Sequence, residues 1–273
     1  MKIQRICSVY WSATGNSRKV ARTVSGAIGE YLGCPVEEFD FTLPGARETV
    51  MEFSSKDLAV VVLPTYAGKL PNKMLPFVQT GIKGNGTPAI PLVTFGNRSF
   101  DNSLAELVDS LKSNHFFPMA AGAVVCRHAF TDLLAAGKPT EQDLEDLKQF
   151  ARKAAEKILE ASSLPAPVTV PGDSSAPYYI PKGLDGQPAK FLKARPKTNL
   201  DSCIRCGVCA RLCPMEAISS EDYSQVPGTC IKCQRCVRSC PKKAKYFDDP
   251  AFLSHVAMLE ANFRDSKENS FYL

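Results

Sequence analysis

Ile3-Gln4-Arg5-Ile6-Cys7-Ser8-Val9-Tyr10-Trp11-Ser12-Ala13-Thr14-Gly15-Asn16-Ser17-Arg18-Lys19-Val20 changes character twice. Up to Trp11 the apolar and β-branched residues predominate, as in a buried strand. Residues 12–17 are hydroxyl, small and amide residues, as in a turn. From Asn16 the period lengthens. Val20, Val24, Ile28 and Tyr31 recur about every 3.6 residues and predict a helix over 16–31.

The alternation continues to residue 163. Strand-like runs cover 36–41, 58–63, 88–95 and 117–126. Helical spacing over 101–111 aligns Leu104, Leu107, Val108 and Leu111, and over 141–159 aligns Leu144, Leu147, Phe150, Ala154 and Ile158. Repeated strand–helix units predict an α/β fold, a doubly wound five-stranded parallel sheet with helices on both faces. Such sheets bind ligands beyond the carboxyl ends of their strands. The segments after strands one, three and four are therefore the candidate site.

Ser12, Ala13, Thr14, Gly15, Asn16 and Ser17 combine hydroxyls, an amide and a helix start, which together form an anion cradle. The Gly-Lys-Ser/Thr end of a nucleotide P-loop is missing, so a single phosphate monoester fits better than a triphosphate. An ordinary capped helix start is the plainer reading. After strand three comes Thr65-Tyr66-Ala67-Gly68. After strand four comes Phe95-Gly96-Asn97-Arg98-Ser99-Phe100-Asp101. A flavin ring needs flat apolar cover and backbone donors and acceptors, and both loops carry them.

Residues 164–196 are rich in proline and glycine and read as a linker, with Tyr178, Tyr179 and Ile180 able to pack on a domain. Residues 197–247 hold an internal repeat. Cys203-x-x-Cys206-x-x-Cys209-x-x-x-Cys213-Pro214 recurs 27 residues later as Cys230-x-x-Cys233-x-x-Cys236-x-x-x-Cys240-Pro241. Triples at this spacing followed by Cys-Pro suit 4Fe–4S cubes; zinc ligands come as separated pairs. Residues 248–273 read as a C-terminal helix and tail. Asp249 is its N-cap, Pro250 its first position, and Leu253, Val256, Leu259 and Phe263 its apolar face. Cys7 and Cys126 read as small buried apolar residues.

The cysteine segment resembles bacterial-type two-cluster ferredoxins. That resemblance implies crossed ligation, with Cys203, Cys206, Cys209 and Cys240 on one cluster and Cys230, Cys233, Cys236 and Cys213 on the other. Residues 1–163 resemble the flavodoxin family through Ser12, Thr14, Gly15, Asn16 and Ser17 and the two later loops. The resemblance implies a flavodoxin-like FMN-binding domain in which residues 12–17 hold the phosphate. Thr65, Tyr66, Ala67, Gly68, Phe95, Gly96, Asn97, Arg98, Phe100 and Asp101 would line the ring. It also casts the Ala67–Gly68 peptide as one that turns when the flavin is reduced. Tyr66, Phe95 and Phe100 are the aromatics available for ring cover. Trp11 is read as core and His128 as a surface or capping residue. The whole chain is similar to the flavodoxin–ferredoxin fusions sometimes called ferrodoxins.

That resemblance implies electron transfer between redox partner proteins, with FMN and two 4Fe–4S clusters as cofactors. The alternative is an FMN-dependent reductase of a small molecule fed by the clusters. Residues 190–245 carry twelve basic and four acidic residues, a local +8 within a net charge of +5. Two clusters with their thiolates would add about −4 and an FMN phosphate about −2, so no nucleic-acid partner is read into the basic segment. No apolar run approaches a membrane span and no leader pattern opens the chain. The expectation is a cytoplasmic monomer or homodimer without a membrane partner.

Overall fold

The computed structural model describes residues 2–160 and 166–273. The expected boundary at 163/164, and Pro165 with it, lies outside the described residues. The five strands of the α/β unit are β1 (Arg5–Tyr10), β2 (Val36–Asp40), β3 (Asp57–Pro64), β4 (Thr87–Phe95) and β5 (Ala121–Val125). They run parallel in the order β2-β1-β3-β4-β5. The order reverses between β1 and β3, so the loops following these strands diverge and leave a crevice.

The helices are α1 (Asn16–Leu32), α2 (Leu75–Thr80), α3 (Ser103–Ser113) and α4 (Glu141–Glu160). Alternate residues of β1 face opposite layers. Ile6 and Tyr10 pack with Val20, Val24 and Ile28 of α1 and Leu147 and Ile158 of α4. Cys7 and Val9 pack with Leu104, Leu107 and Leu111 of α3 and Val78 of α2. Both sheet faces are thus covered, which is why β1, β3 and β4 are almost continuously apolar. Cys7 and Cys126 are buried, as their sequence setting predicts.

Several elements differ from the sequence reading. The run 117–126 splits into Phe116–Pro118, beside Thr87–Ala89, and β5, beside Leu92–Phe95. A tail strand, Ser270–Tyr272, joins the sheet antiparallel to β5, with Phe271 stacked on Phe150 at 4.7 Å. The sheet is therefore the five expected parallel strands plus two short additions. The C-terminal helix Pro250–Asn262 starts as expected, with Asp249 Oδ1 accepting the Phe252 N–H at 2.9 Å. Its buried residues are Phe252, His255, Met258 and Leu259, while Leu253 is 46% exposed. The buried face is rotated because Phe130, Phe191 and Phe247 form the surface it packs on.

The cysteine segment closes on itself through Lys197–Thr198 paired with Lys245–Tyr246. Residues 168–179 lie against the α/β unit as a strap, and residues 182–195 turn to the C-terminal helix and the cysteine segment, through Lys182 O to His255, Leu184 N–H to Ser254 and Leu192 O to Lys232. Lys69 Nζ donates to Ser174 O at 2.6 Å and Ala176 O at 2.9 Å, and Tyr178 donates its hydroxyl to Leu70 O at 2.8 Å. Among the described residues no helix is long and apolar enough to cross a membrane.

Candidate functional site

Gly15 closes the loop after β1 in the left-handed region, at φ 96°, and itself offers α1 no side-chain cap. Its first N–H groups lack intrahelical acceptors and point out of the helix end. The sequence reading gave the loop's hydroxyls and amide to the anion. Three of these side chains instead brace the loop. Ser12 Oγ accepts the Arg18 N–H at 3.1 Å, Asn16 Nδ2 donates to Arg127 O at 3.0 Å, and Ser17 Oγ bonds Thr94 Oγ1 at 2.9 Å. Short polar side chains compete for nearby backbone groups, and here that competition shapes the cradle.

The loop after β3 is a two-residue turn. Tyr66 and Lys69 exchange backbone hydrogen bonds around Ala67 (φ 48°) and Gly68 (φ 77°), the signature of a type I′ turn. Ala67 O accepts the Tyr179 N–H at 2.8 Å, and Gly68 O accepts the Asn102 N–H at 2.9 Å. The peptide read as a redox-linked switch thus has its own carbonyl, Ala67 O, bonded to the strap, and the next carbonyl, Gly68 O, bonded to Asn102. Thr65 joins β4 and the start of α3 through Thr94 O and Ser103 Oγ, each at 2.7 Å. Tyr66 stands edge-on to Trp11, centroids 5.9 Å apart, and Phe95 lies 5.5 Å from Phe100. Trp11 is fully buried, as the core reading expects, and its Nε1 has no partner in the protein.

The third loop departs most from the sequence reading. Asn97, placed there among the ring-lining residues, donates Nδ2 to Phe263 O at 2.6 Å and Asp265 O at 3.0 Å, while its Oδ1 accepts the Lys267 N–H. Its side chain anchors the tail instead. Arg98 is paired with Asp101 and lies over the Tyr179 ring at 4.0 Å, so it holds the strap. A Cβ on Gly96 would overlap the His128 ring. His128 is half-buried rather than a surface residue, and its Nδ1 accepts the Phe130 N–H at 3.1 Å. Burial pushes it down to about 4, with His255, Arg238 and Arg98 adding to the effect.

The eight repeat cysteines line two cavities. Cys213, Cys230, Cys233 and Cys236 line one, and Cys203, Cys206, Cys209 and Cys240 line the other. Among the described residues no three His, Cys, Asp or Glu side chains converge on a single-ion point. In each cavity the four thiols are wall residues, an arrangement that suits a 4Fe–4S cube. Backbone N–H groups of Ala217, Lys232 and Ala244 donate to the sulfurs of Cys213, Cys230 and Cys240 at 3.2–3.4 Å. As thiols, Cys233 is pushed up to about 12 by burial, and Cys230 and Cys236 are raised too; a bound cation reverses that preference.

The first cavity abuts the loops. Cys233 belongs to the same packed core as Trp11 and Ala13, with Met215 and Ile231 against it. Burial holds the Tyr66 phenol well above its ordinary range, and nearby Cys233 and Cys230 add to this. Arginines dock the segment. Arg235 binds Ser12 O and Ala13 O, Arg238 binds Ala129 O and Asp132, and Arg47 reaches back to Pro214 O. Sequence reasoning missed all three, because a basic residue carries no mark of its partner.

Residues 196–219 and 227–245 each match a family model described as a 4Fe-4S binding domain. No curated protein matches the chain. Similar solved structures include a flavodoxin from the domain Archaea (16% identity, 58% of this chain and 100% of that one, TM-score 0.43). A short-chain flavodoxin associated with a non-canonical PDU bacterial microcompartment gives 18%, 58%, 99% and 0.38. Rubredoxin oxygen:oxidoreductase from Desulfovibrio gigas gives 18%, 59%, 38% and 0.37. The strand order itself carries the flavodoxin-like assignment. An α/β unit of this topology is joined to an iron–sulfur segment, and those are the parts of an electron-transfer protein.

Proposed function

We propose that this chain, a flavodoxin-like unit joined to a ferredoxin-like segment, transfers electrons between two 4Fe–4S clusters and one FMN. When bound, FMN supplies a centre for one or two electrons and the clusters pass them singly. The N–H groups at the start of α1, with Thr14, hold the phosphate. Tyr66, Phe95 and Phe100 cover the ring and exclude water from it. Cys203, Cys206, Cys209 and Cys240 hold one cluster; Cys213, Cys230, Cys233 and Cys236 hold the other.

The observation carrying this reading is the packing of Cys233 in one core with Trp11 and Ala13, which brings a cluster cavity to the flavin loops. The strap supports a carrier over a small-molecule reductase, since Tyr179 bonds the very turn that would border the ring and Tyr178 the residue after it. The test is anaerobic purification with metal, sulfide and flavin analysis, followed by reductive titration. About eight iron, eight sulfide and one FMN per chain are expected. Zinc in place of iron, FAD, or no flavin would overturn it, as would fast turnover of quinones or nitro compounds by the intact protein.

A further inference from the structure

Arg235 stands between Cys233 and Cys236, yet its side chain belongs to the other end of the molecule. Nη1 donates to Ser12 O at 3.0 Å and Ala13 O at 2.8 Å, across 223 and 222 residues of sequence. In a trans peptide the C=O of one residue and the N–H of the next point in opposite directions. Pinning Ser12 O therefore turns the Ala13 N–H away from Arg235, and pinning Ala13 O does the same for Thr14. These are donors that an anion in the loop would use.

Charge and unmet hydrogen bonding point the same way. Residues 12–17 contain no cation, so the guanidinium supplies positive charge that the loop lacks. Only four buried side-chain N/O atoms among the described residues have no partner, and two of them flank this loop: Arg235 Nε and Trp11 Nε1. Buried donors without partners are rare in native proteins and call for an acceptor. Arg238, by contrast, binds Ala129 O and Asp132 and docks the same segment without touching the loop.

We infer that Arg235 is part of the flavin phosphate site, so that the cysteine segment itself completes the cradle in the α/β unit. This rests on the FMN reading above and adds a residue and a coupling to it. Binding of phosphate-bearing flavin and integrity of the Cys213/Cys230/Cys233/Cys236 cavity are linked through one side chain, and such linkage is reciprocal.

The test compares FMN with riboflavin, which lacks the phosphate, on flavin-stripped, cluster-loaded protein, with iron per chain measured throughout. Arg235→Ala should weaken FMN at least tenfold and riboflavin less than twofold. Arg235→Lys, which keeps the charge and loses the fork, should fall between. Arg238→Ala should keep the wild-type preference for FMN over riboflavin. Equal losses for the two flavins, an unchanged FMN affinity in Arg235→Ala, or the same loss of preference in Arg238→Ala would each overturn the inference. Wild-type protein that binds neither flavin would instead sink the FMN reading on which it rests.

Discussion

Lys69 and Glu106 form a buried ion pair at 3.0 Å, with side-chain exposures of 7% and 8%. Glu106 Oε2 also accepts the Leu70 N–H, and Lys69 holds two strap carbonyls, so the pair joins α3, the loop after β3 and the strap. Removing one partner of such a pair leaves a buried charge and costs about 3–5 kcal/mol. Lys69→Met should lower the melting temperature by roughly 10 °C. Adding Glu106→Gln should recover part of that loss. Calorimetry of the single and double variants gives the coupling. If Lys69→Met melts like wild type, the pair does not hold the strap.

The cavity linings make the cysteines separable by pairs. Cys213→Ala should remove about half the iron, and adding Cys230→Ala should remove little more, because both line one cavity. Adding Cys203→Ala to Cys213→Ala should strip both clusters, because Cys203 lines the other. Iron analysis with electron paramagnetic resonance reads the result. The opposite pattern would mean that each motif ligates its own cluster.

Gly68 sits at φ 77°, and a Cβ there would overlap Asp101 Oδ2. Gly68→Ala therefore combines backbone strain with a steric conflict, of order 1–3 kcal/mol. The expected result is weaker flavin binding and a shift in the flavin potentials, with cluster potentials unmoved. Asp101→Ala in the same chain removes the carboxylate and should restore part of the affinity. Anaerobic potentiometry with flavin-release assays measures both. Unchanged flavin affinity in Gly68→Ala would show that this turn does not border the ring.

His128 is kept neutral by burial, its folded value about 4 against an ordinary 6.5. The unfolded chain binds a proton there that the folded chain refuses. Stability from this group is present above about pH 6.5, is lost as pH falls toward 4, and levels off below. The shift corresponds to about 3 kcal/mol at most. Denaturant titrations from pH 7.5 to 4 should show this slope in wild type and a shallower one in His128→Gln. Equal slopes would place the acid sensitivity elsewhere.

Local sequence was enough to specify the α/β unit and the cysteine repeat. Period and composition are local properties, so the five parallel strands, α1, α3 and α4, and the spacing of eight cysteines could be read along the chain. The grouping of Cys213 with Cys230 was implied by the two-cluster ferredoxin resemblance, and the two residues line one cavity. Gly15 and Gly68 were named through the flavodoxin resemblance, and both take a positive φ in the fold.

Only the tertiary structure decided what the long-range side chains do. Asn97 anchors the tail 166 residues away, Ser12 and Ser17 brace their loop, the tail adds a strand to β5, and Arg235 reaches Ser12 across 223 residues. Each of these partners is chosen by where the chain returns in space. A polar side chain has the same hydrogen-bonding groups wherever it lies, so its sequence neighbourhood marks it as able to bond and leaves the partner to the packing of the two segments.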